Sequence, residues 1–162
     1  MVAALNPLFS SKGIRLTEHT ELKKEECIVT QLADGKAIVY GDTGGTIRGI
    51  YFGEDDGEPD APKSADILNA DAVDAFIRLT HDKYYEELKE YFGNTVIAFF
   101  TDEPCAIGRT SGVYKEWYPG LEENLISQGG KLTELAGLFT GEENQTTKLY
   151  HKLIKSRLRS VY

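Results

Sequence analysis

The sequence predicts an α/β fold organised around one βαβ segment, with a small β-hairpin region ahead of it. Two observations carry this. An amphipathic helix pattern runs from Asn69 to Phe92, and Gly93-Asn94 leads directly into the uncharged run Thr95-Val-Ile-Ala-Phe-Phe100. A short run of β-branched and aromatic residues with no charge reads as a strand buried on both faces, as in parallel sheets. Ahead of the helix lie several β-like pieces, two of them joined by Asp34-Gly35, a strong hairpin signal. Asp102 and Glu103 follow the uncharged run, at the strand end where α/β sheets place their chemistry. A solvated acidic turn is the plainer alternative there.

In chain order, residues 1–13 are loop-like, punctuated by Pro7, Ser10, Ser11 and Gly13. Ile14–Thr17 alternates apolar and polar residues and reads as a strand. Glu26–Leu32 and Lys36–Tyr40 read as the two strands of the hairpin. Residues 1–40 thus form a β-rich N-terminal segment, and 41–162 the α/β segment. Gly41 to Pro62 is dense in glycine and acid: Asp42, Glu54, Asp55, Asp56, Glu58 and Asp60. Within it, Thr46–Phe52 is the expected first strand of the βαβ unit. Gly44-Gly45 is no phosphate loop, because no Lys-Ser/Thr follows, and Glu54–Asp60 lacks the closing Glu of a calcium loop. The segment reads as solvated loop, with a site lining or a divalent cation as the functional alternative.

Asn69 is a good N-cap for the helix, with Asp71 and Asp74 suiting its positive end, and Gly93 is its C-cap. His81, mid-helix, reads as a bystander. After Pro104 come Arg109, Tyr114, Trp117 and Tyr118, which a sugar or aromatic ligand could stack on. Equally, Trp117 caps the core. Gly120–Gln128 and Leu132–Phe139 read as short helices. Thr140-Gly-Glu-Glu143 reads as a capping box for a final helix through Tyr150, Leu153, Ile154, Leu158 and Val161, with Lys and Arg at its negative end.

The chain has 162 residues, 41% hydrophobic and 27% charged, which is enough for one domain with a core. A net charge of −8 argues against nucleic acid or an anionic membrane as the main partner. Cys27 and Cys105 stand alone, without zinc spacing, and read as free thiols. No long apolar run is present, so no membrane span is expected, and the N-terminus lacks a basic leader pattern, which points to the cytoplasm.

Gly44-Gly-Thr-Ile-Arg-Gly-Ile-Tyr-Phe-Gly-Glu-Asp-Asp-Gly-Glu-Pro59, Ala65-Asp-Ile-Leu-Asn69 and Phe99-Phe-Thr-Asp-Glu-Pro104 together resemble the catalytic barrel of large bacterial glycoside hydrolases. The pattern is similar to the α-L-rhamnosidases of glycoside hydrolase family 106 and to barrel enzymes of the β-galactosidase type, whose full-length forms can be exported. The resemblance runs from about Gly35 onward. It implies part of a TIM-barrel-like (β/α)8 architecture, with residues 1–40 as an insertion. It implies Glu103 as general acid, with Asp102 beside it, and Arg48 and the acidic loop Glu54–Glu58 bordering a sugar pocket. In the family picture the partner carboxylate comes from a later strand; within this chain Asp55, Asp56 or Glu58 would act as base or nucleophile, and Arg109 and Trp117, in the loop after the strand, would contact substrate. No cofactor or resident metal is implied.

Glycosidases generally use two carboxylates flanking the bond. Three sources of the second one stay open: the acidic loop, a later strand in a longer chain, or another chain. The non-catalytic alternative is a carbohydrate-binding or self-associating piece of such a barrel, whose uncovered sheet edges favour association.

Overall fold

The computed structural model describes residues 10–46, 63–100, 105–108 and 112–161. It is a mixed α/β fold with one antiparallel sheet. Strand β1 (Lys12–Glu18) lies between β3 (Lys36–Asp42) and the two-residue β4 (Lys115–Glu116), and β2 (Cys27–Gln31) forms the other edge, giving the order β2-β3-β1-β4. The expected hairpin is there. Its turn is longer than two residues: Leu32 and Lys36 are still paired, the Gly35 N–H reaches the Leu32 carbonyl, and Gly35 takes φ 86°. That positive φ is why glycine follows Asp34.

Register sorts the side chains onto two faces, and both hold buried residues: Ala37 and Val39, on the face away from Ile14, are 0% exposed. Ile14 pairs with Tyr40 and Leu16 with Ile38, so these four share a face. On the opposite face Arg15 grips Glu26 through Nε–Oε1 at 2.6 Å and Nη2–Oε2 at 2.7 Å. The guanidinium holds the Glu26 carboxyl below its ordinary range.

The Ile14–Ile38 face is covered by the C-terminal third of the chain. Helix α3 (Leu121–Ser127), a 3-10 turn at Leu132–Ala136, α4 (Gly137–Thr140) and α5 (Gln145–Val161) follow β4. Leu121, Leu125, Leu135, Tyr150 and Ile154 pack with Ile14, Ile38, Trp117 and Tyr118 into one core. The four-residue spacing of Tyr150 and Ile154 puts both on the inner stripe of α5. The Tyr150 hydroxyl donates to the Glu116 carbonyl at 2.6 Å, tying α5 to the short edge strand. Arg157 crosses the Tyr118 ring at 5.2 Å and donates from Nε to the Leu68 carbonyl. The cap of α5 differs from the expected one. Gly141 at φ 80° ends α4, and the reciprocal pair is Asn144 with Thr147: each side chain oxygen accepts from the other's backbone N–H, at 2.8 and 3.0 Å.

The region from Asn69 to Phe100 stands apart. Asn69 caps α1 (Ala70–Leu79) by accepting from the Asp71 N–H, as its sequence position predicts. The single helix expected through Phe92 is instead two helices plus a 3-10 turn, because the chain breaks at Thr80 (φ −120°, ψ −74°) before α2 (His81–Leu88). The Thr80 hydroxyl donates back to the Phe76 carbonyl at 2.6 Å, a contact that bends helices.

The expected buried strand is a second correction. Thr95–Phe100 forms only an isolated bridge, Val96 to Phe92, and its side chains face outward: Ile97 is 83% and Phe100 88% exposed. That bridge is parallel, but no strand pairs with the run among the described residues. Thr46 bridges Lys63 in antiparallel fashion, and residues 47–52, the rest of the expected first strand, lie outside the described residues. The run instead folds back on the helices, where Phe99 meets His81 at 5.4 Å and Phe92 at 5.7 Å between ring centroids.

Candidate functional site at the Asp42–Gly45 crossing

Four pieces of backbone meet where β3 ends. The Thr43 N–H donates to the Ser11 carbonyl, the Ser11 N–H to Ser64, and the Ser64 N–H to Gly45, all at 2.9–3.1 Å. The Ser11 and Thr43 hydroxyls lie 2.6 Å apart, and each is 3.0 Å from the Ile107 carbonyl that accepts from them. Two glycines make the approach possible. A Cβ on Gly45 would overlap the Ile107 carbonyl oxygen, and one on Gly108, at φ 65°, would sit 2.6 Å from Ser64 Cβ. Gly44-Gly45 in this sequence therefore serves close backbone approach.

Asp42 is the charged centre of the crossing. Its Oδ1 accepts the Gly44 N–H at 2.7 Å, an Asx-type turn. Its Oδ2 accepts from the Ser10 hydroxyl and from Lys63 Nζ at 2.7 Å, with Lys12 Nζ at 3.9 Å. Partial burial pushes this carboxyl up. Lys63, Ser10 and the Gly44 N–H outweigh that and hold it at about 2. Asp42 is thus an ionised organiser of lysines and a poor proton donor.

Two residues beyond Ser64, Asp66 behaves in the opposite way. It is 2% exposed, and its Oδ1 has no partner among the described residues. Burial pushes its carboxyl up to about 6, against the Leu68 and Asn69 N–H groups and the charges of Lys12 and Arg157. A raised carboxyl is the kind of group a general acid needs. At 2% exposure it is closed off from solvent.

Of the residues singled out in the sequence, Arg48, Glu54, Asp55, Asp56, Glu58, Asp102, Glu103 and Arg109 lie outside the described residues. Trp117 is described: it is 5% exposed and packs in the core beside Tyr118, with Tyr114 also buried. That is the core position anticipated as the alternative to sugar stacking. Cys27 and Cys105 are free and exposed. Asp42, Lys12 and Lys63 were not singled out as a unit. Their separations along the chain carry no motif; the β1–β3 register pairs Lys12 with Asp42, and the Thr46–Lys63 bridge brings in Lys63. Among the described residues, no group of three or more His, Cys, Asp or Glu is placed to hold a metal ion, and no helix is long and apolar enough to cross a membrane. No family model, curated protein or solved structure matches the chain.

Proposed function

We propose that this chain is a segment of glycoside-hydrolase machinery, with Glu103 as general acid and a carboxylate of the Glu54–Glu58 loop as its partner. The observation that supports the reading is the crossing. Gly45 meets Ile107, and Ser64 meets Gly108. Gly45 and Ser64 flank the acidic loop in sequence, and Glu103 precedes Ile107 by four residues, a reach of at most ~14 Å. Two carboxylates about 5 Å apart would give retention of configuration, and about 6.5–9.5 Å inversion. The TIM-barrel-like assignment belongs to this reading, with the outward-facing apolar residues of 76–100 meeting further barrel elements. Hydrolysis of a panel of aryl glycosides by the wild-type chain and by Glu103→Gln tests it. A drop of about 10²–10⁴-fold is expected for loss of a general acid. Undiminished turnover would remove Glu103 from the role.

A second reading, self-association without turnover, is favoured by one observation. Phe76, Ile77, Leu79, Tyr84, Tyr85 and Tyr91 are all 40% exposed or more on adjacent helices. Large apolar side chains exposed together in one region of the chain mark a candidate interaction site. The occupant in this reading is a second copy of the chain. Sedimentation over a range of concentrations reads it directly: a dimer that Tyr84→Glu returns to monomer supports it, and a monomer at every concentration removes it.

A further inference from the structure

We propose that the cleft between the β2–β3 hairpin and Lys63 binds a sugar that carries a carboxylate, with Lys12 and Lys23 as the cations that recognise it. The cleft has a volume of about 500 Å³, and Lys12, Lys23, Lys63, Glu25, Tyr40 and Asp42 are among the residues that line it. That is the size of a small-ligand site. Sheet register builds it: Lys12 pairs with Asp42 and Cys27 with Tyr40, so one end of the sheet supplies most of the wall.

The charges are arranged unevenly. Lys63 is spent on Asp42 at 2.7 Å. Lys12 stands 3.9 Å from the same carboxylate, and among the described residues the Lys23 ammonium touches only the Tyr114 hydroxyl, at 3.4 Å. Each ammonium has three donors, so Lys12 and Lys23 both keep donors for a ligand. Three lysines against two carboxylates leave the cleft locally cationic in a chain of net charge −8. That suits a monoanion, because Glu25 and Asp42 would repel the second charge of a phosphate. The same two carboxylates accept from hydroxyl groups, and the half-buried Tyr40 ring offers an apolar wall for a pyranose. A carboxylate for the lysines, hydroxyls for the acids and a ring for Tyr40 together describe a hexuronate.

The ligand class deepens the carbohydrate reading above, and the test reads binding so that the two can fail separately. Sodium glucuronate, glucose and inorganic phosphate are titrated by calorimetry into the purified chain at pH 7. Glucuronate is expected to saturate one site and to bind at least about tenfold more tightly than glucose or phosphate. Lys23→Ala, a loop substitution outside the sheet, should weaken glucuronate about tenfold, as for loss of one charge-assisted hydrogen bond. It should leave the circular dichroism spectrum unchanged. Glucuronate binding no tighter than glucose, phosphate binding as tight as glucuronate, or an unchanged affinity in Lys23→Ala would each overturn the proposal. Saturable glucuronate binding without turnover of any aryl glycoside would instead remove the hydrolase reading and leave the cleft standing.

Discussion

The sheet-and-helix body and the 69–100 arm are written in similar residues and end differently. In the body, Ile14, Ile38, Leu121, Leu125 and Leu135 reach 0% exposure because the inner sheet face and helices α3–α5 close over one another. The arm has an equally regular apolar pattern. Only its small residues are deeply covered, Ala72 and Ala75 in α1, while Tyr84, Ile97 and Phe100 face outward. Its internal packing is a chain of aromatic rings, Phe76–His81–Phe99–Phe92–Tyr85, at centroid spacings of 5.3–5.7 Å. Amphipathic periodicity makes a helix able to pack, and a second layer decides whether it does.

The largest effect expected from this contrast comes from matched truncations. Leu125→Ala in the body should cost about 2–5 kcal/mol in urea unfolding, the range for a buried leucine. Leu79→Ala in the arm, at 49% exposure, should stay within about 0.5 kcal/mol. Equal costs would mean that the arm is buried in solution. Next in size is Gly45→Ala, which forces a methyl group into the Ile107 carbonyl and should destabilise by about 1–3 kcal/mol.

A smaller, pH-dependent effect separates two carboxylates of the body. Asp66 has its folded value raised to about 6, so its contribution is fully present below about pH 4 and is lost as pH rises through about 6. Asp66→Asn should therefore remove a fall in Tm between about pH 4 and pH 6 and be the more stable protein at pH 7. Asp42, held at about 2, works in reverse: its contribution is present above about pH 4 and is lost as pH falls through about 2. Parallel Tm–pH curves for wild type and Asp66→Asn would show that Asp66 is not desolvated.

The local signals of the sequence were legible because they depend on nearest neighbours. The Asp34-Gly35 hairpin and the Asn69 cap are of this kind, as are the stripe of α5 and the short helix at Leu121. Most of the misread features depend on distant partners, the capping box at Thr140 being a local exception. Thr95–Phe100 has the composition of a buried strand, and composition does not reveal whether neighbouring strands exist. Thr140 begins a plausible capping box, but Gly141 in the left-handed region ends the helix before it, and Asn144 caps the next one. β4 is two residues long and has no strand pattern of its own; its pairing with β1 defines it. The lysines around Asp42 come from separate segments, so no spacing announces them. The residues on which the glycosidase resemblance rests most heavily, Asp102, Glu103 and Glu54–Glu58, lie outside the described residues.

Amide hydrogen exchange on the dilute chain tests the difference between body and arm most directly. Opening of a segment that buries little should be far cheaper than global unfolding. Amides of β1, β3 and α5 should exchange only at the rate of global unfolding. Those of α1 and α2 should exchange orders of magnitude faster at low concentration, and slow down once the apolar face is covered. Arm amides as protected as those of α5 in the dilute monomer would contradict the account.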